Sequence, residues 1–140
     1  MSGYLEVNNE FGGLAQSNEK YDGKIRAKRI SNDFEQLNTV IGIIATDAPL
    51  NRMQLKRMSI MCHGSISRSL HPSHTPMDGD TIFAISTSDK SCNVSDEISK
   101  LDLTIISSIA SDTFSRACNR AIFEAKNIGG KPSWKDLFDS

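Results

Sequence analysis

The 140-residue chain carries 38% hydrophobic and 24% charged residues, which excludes wholesale disorder and supplies one domain's worth of core. Its formal net charge of −1 gives no electrostatic footprint for nucleic acid or an acidic membrane surface. No apolar run approaches the roughly 20 residues that span a bilayer. The cysteines, Cys62, Cys92 and Cys118, are too few and odd in number for a disulfide framework. The start, Met1-Ser2-Gly3-Tyr4-Leu5-Glu6, lacks the basic and apolar regions of a signal peptide. A soluble, cytoplasmic protein is the expectation.

Residues 1–38 hold much of the loop punctuation (Asn8-Asn9, Gly12-Gly13, Asp22-Gly23) and no sustained periodicity, and read as a linker-like segment. Lys24, Arg26, Lys28 and Arg29 form its one basic cluster. Six acidic residues in the same segment favour a solvated extended chain over a nucleic-acid patch. The remainder, residues 39–140, reads as the structured and chemically active portion.

Val40–Ala45 is short, apolar and β-branched, and Asp47-Ala48-Pro49 ends it, so it predicts a strand buried on both faces. Thr39 stands at its head, where a strand end can hold a hydroxyl rigidly. Asp47 then predicts a helix cap with Pro49 in the first turn. Leu50, Met53, Met58, Met61, Cys62, Ile66 and Leu70 follow at near-helical spacing, with Arg52 and Lys56 opposite.

Residues 71–80 form a loop with two prolines and the turn-forming Asp78-Gly79. Thr81–Thr87 predicts a second buried strand. From about Ser95 to Lys126 runs a long helix, with Ile98, Leu101, Ile105, Ile109, Phe114, Ala117, Ala121 and Ala125 as its apolar stripe. Gly129-Gly130 and Pro132 close it. The aromatic tail, residues 133–138, is expected to dock on the body. Two strands with two helices cannot cover both faces of a sheet, so further strands must come from elsewhere.

Asn38-Thr39 offers a specific chemistry. If the Thr39 hydroxyl attacks the Asn38 carbonyl and the resulting ester is hydrolysed, Thr39 acquires a free α-amine. Such an amine, with a pKa of about 7.7–8.0, is a base for the neighbouring hydroxyl. The bland alternative is a turn leading into a strand. Asp78-Gly79-Asp80 places two carboxylates at the mouth of the second strand; beside the first strand they fall near Thr39, one orienting it and one supporting the other. The alternative there is a solvated tight turn. A rival reading takes His71, His74, Asp78 and Asp80 as metal ligands, but their spacing matches no specific pattern. Neither a cofactor nor a bound metal is expected. Cys62 and Cys118 read as inert core residues.

Several of these segments together resemble a known family. They are Asn38-Thr39-Val40-Ile41-Gly42-Ile43-Ile44-Ala45-Thr46-Asp47-Ala48-Pro49-Leu50, then Gln54-Leu55-Lys56-Arg57. His74-Thr75-Pro76-Met77-Asp78-Gly79-Asp80-Thr81-Ile82-Phe83-Ala84 and Pro132-Ser133-Trp134-Lys135-Asp136-Leu137 follow in the same order. The combination resembles the L-aminopeptidase/D-esterase family of self-processing N-terminal-nucleophile hydrolases, with Asp-Gly-Asp-Thr closest to its nylon-oligomer-hydrolase branch.

The resemblance implies an α/β fold, part of an αββα sandwich, cut between Asn38 and Thr39. Thr39 is then the nucleophile, and Asp78 and Asp80 the carboxylates that orient it. It implies a peptide or amide substrate, a complementary α portion and a homo-oligomer of αβ units. The strands and helices that precede the cut in the family have no counterpart in residues 1–38. Two readings therefore stand: a portion of a working amidohydrolase, or a non-catalytic remnant. The related ornithine acetyltransferases share a Thr-nucleophile scaffold, but Asn before the Thr and Asp-Gly-Asp fit the peptidases better.

Overall fold

The computed structural model describes residues 39–70, 73–76, 78–89, 98–130, 132–133 and 135–136. The segment 1–38, with Asn38, and also His71 and Cys92, lie outside the described residues. The order is β1 (Ile41–Thr46), α1 (Arg52–Ser69), β2 (Thr81–Ser86) and α2 (Lys100–Glu124). The described residues form an α/β unit in which β1 and β2 pair in parallel, Ile41 opposite Thr81 and Thr46 opposite Ser86. Parallel neighbours need a crossover, and α1 is that crossover.

Both strands alternate. Ile44 and Ile82 turn into the core, while Ile41, Ile43, Phe83 and Ile85 face outward. The expectation of strands buried on both faces therefore holds for one face of the described sheet. The outward apolar side chains remain 63% exposed at Ile43 and 56% at Phe83.

Helix α1 begins two residues beyond the predicted proline turn. Its cap is Asn51, not Asp47: the Asn51 side chain accepts from the Gln54 amide at 3.0 Å, and Gln54 Oε1 accepts from the Asn51 amide at 3.0 Å. This reciprocal box satisfies two orphan donors and is worth about 1 kcal/mol. Starting there buries Met58, Cys62 and Ile66 completely, whereas Met53 of the predicted stripe is exposed.

Helix α2 starts at the Ser99 cap, whose hydroxyl accepts from the Asp102 amide. Its buried face differs from the predicted stripe. Ser107, Ala110, Phe114, Ser115 and Asn119 turn inward, and Leu101, Ile105 and Ile109 turn outward. The reason is the neighbour. Helix α1 presents Ser65 and Ser69, which bond Ser111 and Ser115 at hydroxyl separations of 2.7 and 2.8 Å. Small side chains let the helices approach, and each hydroxyl meets a partner from the other helix. Arg68 closes the same seam through Asp112 at 2.8 Å, an exposed pair contributing at most about 1 kcal/mol. The helix ends at Glu124, so Gly129 and Gly130, at φ 59° and 75°, shape the following turn and do not cap it.

The tail does dock. Lys135 lies 4.2 Å from the Phe123 ring centroid and 3.6 Å from Glu124. Ser133 donates to Asp136, which holds that exposed carboxyl below its ordinary range through the Ser133 backbone and side-chain hydrogen bonds. Among the described residues no helix is long and apolar enough to cross a membrane.

At Gly42 the sheet packs directly on α2. A Cβ there would collide with Phe114 Cε2 and Cζ, and Phe114 is itself buried. Gly42→Ala is expected to destabilise the fold by about 1–3 kcal/mol through overpacking, seen as a lower urea midpoint. The bare sheet face generates a second expectation: the isolated chain should associate. Light scattering should report a mass above the monomer for the wild type and a lower one for the Ile43→Lys, Phe83→Lys double variant. A monodisperse wild-type monomer would count against it.

Candidate functional site

The site forms where β1 and β2 begin. Because Ile41 pairs with Thr81, the residues just before each strand lie side by side. Thr39 and Val40 precede β1; Asp78, Gly79 and Asp80 precede β2. The ladder continues one step outward, with the Thr81 amide donating to the Val40 carbonyl at 2.8 Å. Thr39, Asp78 and Asp80 line one small cleft, whose apolar wall is Val40, Ile66 and Leu70.

The two carboxylates are held differently. Asp80 is 7% exposed at its side chain. Its Oδ1 accepts from the Val40 amide at 3.0 Å, the peptide unit that joins Thr39 to Val40. Its Oδ2 faces His74 Nδ1 at 3.1 Å. Asp78 turns to its own loop: its Oδ2 accepts from the Thr75 amide at 2.7 Å, and its amide donates to the Thr75 carbonyl at 3.0 Å. Asp78 thereby fixes the turn that delivers Asp80, and Asp80 reaches across to the head of β1.

Gly79 completes the fit. A Cβ on it would lie 3.3 Å from Thr39 Oγ1 and 3.6 Å from Thr39 Cγ2. Glycine thus lets the Thr39 side chain rest against the turn between the two carboxylates. Thr39 itself is exposed, so its hydroxyl is open to an incoming group.

The two described cysteines, Cys62 and Cys118, take no part. Burial pushes the Cys118 thiol up, and the Asp80 carboxylate pushes it the same way. Burial likewise raises the Cys62 thiol, only partly offset by Arg68. Both stay protonated, and an uncharged thiol is a poor nucleophile.

Among the described residues no group of three or more His, Cys, Asp or Glu is gathered as a metal would need. Of the metal reading's residues, His74 faces Asp80 directly and Asp78 faces a backbone amide. What the sequence reading did not assign is the contact of His74 with Asp80 and the seat that Gly79 gives Thr39. No local pattern signals either, since the partners of His74 and the seat of Thr39 are set by tertiary contact.

The sequence pattern of peptidase family S58 matches residues 4–134. The chain belongs to peptidase family S58. The match takes in part of the segment 1–38 as well as the strands and helices. Among S58-type relatives, the chain is 34% identical over 107 residues to an uncharacterized aminopeptidase of Mycobacterium tuberculosis (strain H37Rv), covering 72% of this chain and 31% of that protein. It is 28% identical over 116 residues to an uncharacterized aminopeptidase of Mycobacterium leprae, covering 79% of this chain and 32% of the relative. A 6-aminohexanoate-oligomer endohydrolase of Paenarthrobacter ureafaciens is 36% identical over 61 residues, 44% of this chain and 17% of that enzyme. The S58 chain thus spans about a third of the length of the aminopeptidases it matches.

Proposed function

We propose that this S58 chain supplies the nucleophile-bearing portion of an amidohydrolase acting on amide bonds of peptides or amino-acid oligomers. Thr39 is its nucleophile, and the Asn38–Thr39 bond is cut by the protein itself. The observation that carries this reading is the seating of Thr39: its side chain rests on Gly79, while the buried Asp80 carboxylate holds the next amide.

The chemistry balances with residues of this chain and water. In processing, Thr39 Oγ attacks the Asn38 carbonyl and the peptide nitrogen leaves, taking the hydroxyl proton, which gives an ester. Water hydrolyses the ester, releasing an Asn38 carboxylate and a free Thr39 α-amine. In turnover that amine takes the hydroxyl proton as Oγ attacks a substrate carbonyl. The leaving amine receives the proton, and water then frees the acyl group from Thr39. Asp80 orients the Thr39–Val40 peptide unit, and Asp78 holds the turn that positions Asp80. No metal or cofactor enters this reading.

The matched stretch is about a third of the relatives' length, and the outward apolar sheet face is what a second layer of an αββα sandwich would cover. We therefore assign the remaining pocket and the donors that stabilise the tetrahedral oxyanion, a large share of acyl-transfer catalysis, to a complementary portion. Assembly into homo-oligomers of such pairs belongs to the same proposal. A second reading is a non-catalytic remnant of the family that assembles without turnover.

Co-expression with the complementary portion of a full-length S58 relative separates the two. The enzyme reading expects a fragment beginning at Thr39 by intact-mass analysis, and none from Thr39→Ala. Persistent cutting in Thr39→Ala would falsify the nucleophile assignment, and an uncut wild type with no amidase activity would favour the remnant. Asp80→Asn should slow both processing and turnover by about 10²–10⁴-fold with folding retained. Wild-type rates in that variant would return Asp80 to an ordinary turn residue. Loss of activity to a chelator would revive the metal reading.

A further inference from the structure

We infer that His74 is a positioning residue for this site, fixing the place of the Asp80 carboxylate and, through it, the head of β1. The inference rests on the Thr39 reading given above.

A carboxylate as buried as Asp80 requires donors on both oxygens, since unsatisfied charge in the interior is costly. One oxygen is held by the Val40 amide, a backbone donor from the start of β1. The other faces His74 Nδ1. Two contacts from different parts of the fold, the Val40 amide and the His74 ring nitrogen, fix the carboxylate plane as well as its position. Without the imidazole, Oδ2 loses its neighbour and the carboxylate is free to rotate about its Cβ–Cγ bond.

His74 is itself anchored. Its Nε2 lies 3.1 Å from the His63 carbonyl on α1, and the two imidazole rings pack at 5.4 Å between centroids. The ring stands between the His63 carbonyl and the Asp80 carboxylate, one at each nitrogen. The histidine thus spans from the helical layer to the strand mouth, linking the backbone of α1 to Asp80, Val40 and Thr39 in series.

The backbone agrees. His74 adopts φ 55°, the left-handed region that a residue with a Cβ rarely occupies. An ordinary loop residue has no reason to stay there. Here the conformation turns the ring back across the loop onto Asp80, and the Nε2 contact with the His63 carbonyl holds it.

The left-handed backbone also supplies the controls. Asparagine and glycine both accept that conformation, but only asparagine keeps a side-chain N–H donor near the Nδ1 position. In the full 140-residue chain, amide hydrogen exchange at Val40 reports where the Asp80 carboxylate sits. His74→Gly should speed Val40 exchange by about tenfold or more, His74→Asn should stay near wild type, and Ile44 in mid-strand should be unchanged in both. With the complementary S58 portion, His74→Gly should slow release of the Thr39 fragment by about 10²-fold, and His74→Asn should recover most of the rate.

Equal Val40 exchange in wild type and His74→Gly would overturn the positioning role. So would a His74→Gly chain cut at the wild-type rate beside an uncut Thr39→Ala. Continued cutting of Thr39→Ala overturns instead the nucleophile reading on which the role depends.

Discussion

The parallel pairing of β1 with β2 is the constraint on which the site depends. Thr39 and Asp80 are 41 positions apart, and nothing local brings them together. The register does: with Ile41 opposite Thr81, the residue ahead of Val40 faces the turn ahead of Thr81. Because side chains alternate along a strand, a slip of one residue would exchange the core and outer faces of β1. It would expose Ile44, bury Ile43 against the helices and move Gly42 away from Phe114. Packing of the helical layer therefore fixes the register, and the register fixes the geometry at the strand mouths.

That helical layer reaches its closeness by an uncommon mixture. Met58, Cys62 and Ile66 supply fully buried apolar surface, each large side chain worth about 1.5–3 kcal/mol. Ser65 and Ser69 supply contacts to Ser111 and Ser115 that a purely apolar seam could not make at the same separation. The hydroxyls satisfy one another, and so the serines are buried at little cost. The opposite side of the sheet has no such layer among the described residues, and its isoleucines and Phe83 stand outward. The asymmetry agrees with a chain that spans only a third of the length of its S58 relatives.

The strands and the cluster at their mouths were legible because each depends on local pattern. Val40–Ala45 predicted a strand that forms at Ile41–Thr46, and Thr81–Thr87 one that forms at Thr81–Ser86. Asp78-Gly79-Asp80 could be placed beside Thr39 once the two strands were taken as neighbours. The buried face of α1 was largely legible, since Met58, Cys62 and Ile66 of the predicted stripe are fully buried, but that of α2 was legible only at Phe114. Hydrophobicity selects Leu101, Ile105 and Ile109, a stripe with good helical spacing, whereas the actual contact is built from Ser107, Ala110, Phe114 and Ser115. A close helix pair rewards small side chains that can meet hydroxyl to hydroxyl, and a periodic count of large apolar residues does not register that. The start of α1 was misplaced for a similar reason: Asp47 has the right chemistry for a cap, but Asn51 has Gln54 three residues on to complete the box. His74 was visible only as a titratable residue in a loop, because its partners on α1 and before β2 are set by tertiary contact.

Val40 is tied on both sides of its Cα, its amide to Asp80 and its carbonyl to the Thr81 amide. Strand termini ordinarily fray, since the last residue has lost the chain that restrained it. Here the tether begins one residue inside the position where a new end would be made. Scission before Thr39 would therefore create a terminus with a single loose residue, mobile about its own bonds and nowhere else. Under the proposed cut, its amine would turn toward its own hydroxyl without the strand unzipping, with the Thr39 side chain still against Gly79.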